Sequence, residues 1–178
     1  AFKYRNPAII LADGIIGQMM EKVVLPPFHP RRTDEQVEAE CPWAARGKKQ
    51  GRKPNVITSL ELDPAKVEEN NLRFQAKYKL IEEHEVRYEE YLCEDAEYLL
   101  VAFGSSARIC QKTVENARAE GIKLGLLRPI TLWPFPTNII AQYANQVKGM
   151  LSVELNAGQM VEDIRLAVNG KVKVEHFG

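Results

Sequence analysis

From Tyr98 onward the chain repeats one pattern. Four apolar runs, YLLVAFG, IKLGLLRPI, MLSVELN and KVKVEHFG, are separated by SSARICQKTVENARAEG, FPTNIIAQYANQVKG and AGQMVEDIRLAVNG. The intervening stretches read as helices, with Ser105 or Ser106 as the first cap and Gly121, Gly149 and Gly170 as stops. Each strand–helix unit takes about 25 residues. The strands are apolar throughout rather than alternating, so both of their faces must be covered. That restricts the fold to an α/β class: a three-layer α/β/α domain on a mostly parallel sheet, with right-handed crossovers.

The residues before Tyr98 have other textures. In residues 1–25, PAIILAD reads as a short apolar strand, and Asp13-Gly14 as the turn after it. Residues 26–62 show no helical period and hold PPFHPRRTDEQ and ARGKKQGRKPN, which read as a long linker. At Asp63-Pro64 an N-cap and a first-turn proline open a charged helix expected to run to about Leu92. Val67, Phe74, Ile81 and Tyr88 recur every seven residues on it, with Asn71 and Glu85 interrupting the stripe. The stripe suits either a connecting helix packed on its own domain or a subunit interface. The expected organisation is therefore 1–25, the end of a preceding domain; 26–62, linker; 63–97, connecting helix; 98–178, the α/β domain. Ala1 opens without methionine close to a strand and VKVEHFG closes on one, so the chain is expected to be cut from a longer polypeptide.

Formal charge balances at 24 basic and 24 acidic residues, which argues against nucleic-acid binding through bulk positive charge. Cys41, Cys93 and Cys110 are odd in number and far apart, fitting neither a disulfide framework nor a metal cluster, and read as reduced thiols of a cytoplasmic protein. No run approaches the roughly 18 apolar residues of a membrane span. There is no iron–sulfur cysteine run, no Walker motif, no GxSxG elbow, and no metal-ligand spacing among His29, His84 and His176.

In a parallel sheet, ligands and partners meet the carboxyl ends of the strands. Three segments are expected there: Gly104-Ser105-Ser106, the loop after Arg128, and Glu154 to Gln159. Ser105 and Asn156 are either plain helix caps or part of an anion site at a helix start. Glu154, a carboxylate ending a buried strand, needs a partner, and Arg128 is the candidate. The loop LLRPITLWPFP sets Trp133 and Phe135 among three prolines, a stiff platform whose aromatic rings fill a neighbouring surface.

RPITLWPFP (128–136), VELNAGQMVEDIRLAVNG (153–170) and LADGIIGQMMEKV (11–23) resemble the alpha-type chain of the 2-oxoacid:ferredoxin oxidoreductases. The stretch from Asn71 to Ile109 resembles the branched-chain members, which act on 2-oxoisovalerate (3-methyl-2-oxobutanoate). The likeness covers nearly the whole chain. It implies a preceding domain that binds the pyrimidine end of thiamine diphosphate, with its last strand around Pro7 to Asp13. A domain like the C-terminal domain of transketolase follows, truncated at Gly178. The diphosphate and Mg²⁺ are implied to sit in a partner subunit, and iron–sulfur clusters in another subunit or segment.

The parent enzyme would decarboxylate a 2-oxoacid, reduce ferredoxin and form an acyl-coenzyme A. The Mg-diphosphate motif is missing here, with Ala12 in place of its first glycine and no asparagine at the required distance from Asp13-Gly14. No catalytic, cofactor-binding or metal-ligating residue carries over. Arg128, Pro129, Trp133, Glu154, Asn156, Gly158 and Gln159 carry over as loop residues that contact domains and subunits. Two other readings stay open: the same family acting on 2-oxoglutarate or pyruvate, and a stand-alone nucleotide- or anion-binding module built on Ser105-Ser106 or Gly158-Gln159.

Overall fold

The computed structural model describes residues 1–45, 47, 51 and 53–178. Of the basic run expected in the linker, Arg46, Lys48, Lys49, Gln50 and Arg52 lie outside the described residues. Two compact units result: Met20–Leu72, and Ala1–Met19 together with Arg73–Gly178.

In the first unit, the segment read as lacking helical period holds a helix, α1 (Asp34–Glu40). Thr33 and Gln36 form its capping box: the Thr33 hydroxyl accepts from the Gln36 amide, and the Gln36 side chain accepts from the Thr33 amide. Thr-Asp-Glu-Gln carries that signature, but the helix is too short for a periodic pattern. Asp63 caps the next helix, α2 (Pro64–His84), by accepting from the Ala65 amide at 3.0 Å, as its sequence implies.

The second unit carries the sheet. Its elements are β1 (Tyr88–Tyr91), β2 (Tyr98–Ala102), α3 (Gly104–Ala119), β3 (Leu124–Pro129), α4 (Thr137–Tyr143), β4 (Gly149–Val153), α5 (Met160–Val168) and β5 (Val174–Phe177). The strand order is β1-β3-β2-β4-β5, parallel except for β1, which runs antiparallel along β3. Alternate residues of β2 feed two cores. Leu99 and Val101 join Leu127, Met150, Ile140 and Ile164 beneath α4 and α5. Leu100 and Ala102 join Leu126 and the Ala107, Cys110 and Val114 face of α3. Both faces of the central strand are thus buried, which is why its sequence does not alternate.

Four expectations are corrected. The helix read to Leu92 ends at His84, and Tyr88 belongs to β1. The seven-residue spacing that includes Tyr88 is a coincidence of period; pairing of Tyr88 with Pro129 and Tyr91 with Leu126 closes the outer edge of β3 instead. Gly125 shows how close the approach is, since a Cβ there would lie 2.9 Å from both Ala96 Cβ and the Leu92 carbonyl oxygen. The stretch Pro7–Asp13 forms no strand. It has no ladder partner, and Ile9 and Ile10 are 82% and 93% exposed. The helix read up to Gly149 ends at Tyr143, and Gly149 opens β4. The serines do not cap α3: its N-cap is Phe103, which makes no side-chain cap bond.

Candidate functional site

The topology sets the loops after β3, β2 and β4 side by side along one edge of the sheet. Each is held by a different device.

At β4 the device is a buried carboxylate. Ser152, on β4, and Glu154, just past its end, lie two residues apart and so face the same side. Ser152 donates its hydroxyl to Glu154 Oε1 at 2.8 Å. The amides of Gln159, Met160 and Val161 donate to the same carboxylate at 3.1, 2.8 and 3.0 Å. Glu154, the residue just after β4, therefore caps the start of α5 and meets its positive dipole end. Burial pushes the Glu154 pKa up, but the hydrogen bonds, led by the Met160 amide and Ser152, outweigh burial and hold it below the ordinary glutamate value. Asn156 does not cap α5; its side chain accepts from the Gly158 amide at 2.7 Å, closing a tight turn in which Gly158 sits at φ 100°. Gln159 is the exposed N-cap and makes no side-chain cap bond.

The expected Glu154–Arg128 pair is absent, because β2 lies between β3 and β4. Arg128 instead donates to Glu89 across the β1–β3 ladder at 2.8 Å, both side chains being exposed. Facing Glu154 is a residue that spacing alone could not find. His176 pairs in register with Ser152, and its Nε2 lies 3.9 Å from Glu154 Oε1. That nitrogen is buried and has no hydrogen-bond partner among the described residues.

At β2, Ser105 donates its hydroxyl to the Asp13 carboxylate, across 92 positions of sequence. Asp13 also accepts from the amides of Ile15 and Ile16, at 3.0 and 3.1 Å. The Ser105 bond, with help from those amides, lowers the Asp13 pKa from its ordinary value. Ser106 is buried on the side of α3 that packs on the sheet. The serine hydroxyl and the α5 amides that an anion site would use are thus occupied by carboxylates of this chain.

At β3, Pro129, Pro134 and Pro136 are buried and fix the loop. Trp133 is 53% exposed and makes a T-shaped contact with the Tyr78 ring, with centroids 5.6 Å apart and planes at 88°. Phe135 packs on the larger core. Among the described residues no group of three or more His, Cys, Asp and Glu is placed to hold a metal ion. The three cysteines are free and buried, and burial raises the Cys93 and Cys110 pKa values. No helix among the described residues is long and apolar enough to cross a membrane.

The carboxyl edge of the parallel sheet thus carries a buried carboxylate at the start of α5, a serine–aspartate bond at α3 and an aromatic loop after β3. Residues 96–177 match the family described as pyruvate:ferredoxin oxidoreductase core domain II. It is similar to ketoisovalerate oxidoreductase subunit VorB of Methanothermobacter marburgensis, with 50% identity over 167 residues, 94% of this chain and 46% of the relative. It is less similar to 2-oxoglutarate synthase subunit KorA of Archaeoglobus fulgidus, with 29% identity over all of this chain and 50% of the relative. The chain thus spans about half the length of these curated relatives. Among solved structures, the 2-oxoglutarate:ferredoxin oxidoreductase from Magnetococcus marinus shares the fold, at TM-score 0.61 and 21% identity over 76% of this chain and 25% of that one.

Proposed function

We propose that this chain is part of an enzyme that oxidatively decarboxylates 2-oxoisovalerate and related branched-chain 2-oxoacids. In that reaction the bond between the carboxylate and the 2-oxo carbon breaks and CO₂ leaves. The acyl group passes to the thiol of coenzyme A, and two electrons pass to ferredoxin. Thiamine diphosphate with Mg²⁺ supplies the nucleophilic carbon when bound, and iron–sulfur clusters carry the electrons. On this reading those groups lie in other domains or subunits of a cytoplasmic complex.

The observation that carries the proposal is the gap between 50% identity to the ketoisovalerate subunit and 29% to the 2-oxoglutarate subunit, each over nearly the whole chain. The role of this segment is assembly. Residues 26–62 link a preceding domain to the sheet domain, and the strand-end residues Ser105, Ser106, Arg128, Trp133, Glu154, Asn156, Gly158 and Gln159 shape the edge that meets other domains and subunits. The full-length chain, reconstituted with its partner subunits, is expected to form 2-methylpropanoyl-coenzyme A from 3-methyl-2-oxobutanoate and to reduce ferredoxin. Acyl-coenzyme A formation from 2-oxoglutarate alone would overturn the substrate assignment.

A further inference from the structure

The stiff loop at β3 leaves one feature unexplained by the fold. A groove of about 870 Å³ opens between the last turn of α2 and the Trp133–Ile139 segment. One wall carries Lys79, Glu82 and Glu83; the other carries Trp133, with Tyr88 beside it. Trp133 and Tyr88 are 53% and 38% exposed. The Trp133 indole is anchored against Tyr78 and between buried prolines, yet half of it stays in water. Large apolar rings held rigid in solvent mark contact sites.

The charge of the opposite wall is as informative. Glu82 and Glu83 lie in the last turn of α2, a 21-residue helix whose free carbonyl groups already carry partial negative charge. Carboxylates at that end disfavour the helix, and neither has an ion-pair partner within 4 Å among the described residues. Two carboxylates against the single Lys79 ammonium leave the groove negative. A negative rim over exposed aromatic faces is the environment that takes a cation. A planar guanidinium satisfies both walls at once, stacking on an indole while donating to carboxylates.

We propose that this groove receives an arginine-bearing segment of a partner subunit, its guanidinium stacked on Trp133 and hydrogen-bonded to Glu82 and Glu83. The proposal rests on the reading of the chain as one polypeptide of an oxidoreductase complex. It is tested in that complex, with the full-length chain carrying p-benzoylphenylalanine in place of Tyr88 and co-purified with its partners. Irradiation is expected to join this position to an arginine-containing peptide of a different subunit. Glu82→Lys with Glu83→Lys, both on an exposed helix face, is expected to weaken subunit association by about tenfold or more. Wild-type association is expected to weaken with added salt, and the double variant's to respond less. A cross-link to the same chain, to a second copy, or to a peptide without arginine overturns the proposal. So does an intact complex without a cross-link, or unchanged association in the double variant. Failure of the unmodified chain to form any complex overturns the oxidoreductase reading itself, and the groove proposal with it.

Discussion

Two apolar runs of similar composition meet opposite fates in this molecule. AIIL, at residues 8–11, and LLVA, at residues 99–102, would each pass for a buried strand. Leu99, Leu100 and Val101 are 1%, 6% and 0% exposed, whereas Ile9, Ile10 and Leu11 are 82%, 93% and 71% exposed. Both runs are apolar, so composition is not the difference. The difference is neighbours: β2 lies between β3 and β4 with helices on both faces, and residues 8–11 have no ladder partner. Apolar sequence specifies a need for cover. Topology decides whether the cover is present.

That contrast is open to direct attack, most strongly at the sheet centre. Val101→Asp puts a carboxylate where neither face has room for water, and is expected to cost more than about 4 kcal/mol, enough to abolish cooperative unfolding. Ile10→Asp in the same chain should shift stability by no more than about 0.5 kcal/mol. Thermal and denaturant melts compare them, and similar losses at the two positions would refute the contrast.

Next in size is Glu154→Gln, expected to cost about 3 kcal/mol, because an amide cannot accept all four hydrogen bonds and turns its own donors towards the α5 amides. The change also tests a pH dependence. The folded-state pKa of Glu154 is depressed, so its contribution is fully present above the unfolded value, about 4.3. It is lost as pH falls through the lower folded value. The Gln variant should lose less stability on acidification below about pH 4.5 than the parent does. Gly125→Ala should cost about 1–3 kcal/mol by forcing β3 away from Ala96 and Leu92, and a crystal structure of the variant would show the shift. Smallest is Arg128→Ala, at most about 1 kcal/mol, since its pair with Glu89 is exposed to solvent and salt.

The sheet is readable because its strands are both apolar and regularly spaced, and because Gly121 and Gly170 follow the ends of α3 and α5. Tyr88–Tyr91 is not, since YEEY has no apolar run and its strand state exists only through the pairing with β3. Glu154 was legible as a carboxylate in need of partners, and the partner was misassigned because sequence order does not give strand order. Three of its four hydrogen-bond partners are backbone amides, which no side-chain inventory contains. Ser152 could have been found from its two-residue offset. His176 and the Asp13–Ser105 bond could not, because each depends on contacts that only the folded chain creates.

The central claim is the branched-chain assignment, and steady-state kinetics of the reconstituted full-length complex test it most directly. With ferredoxin and coenzyme A present, kcat/KM for 3-methyl-2-oxobutanoate is predicted to exceed that for 2-oxoglutarate and for pyruvate. A higher kcat/KM for either of those two acids would contradict the account.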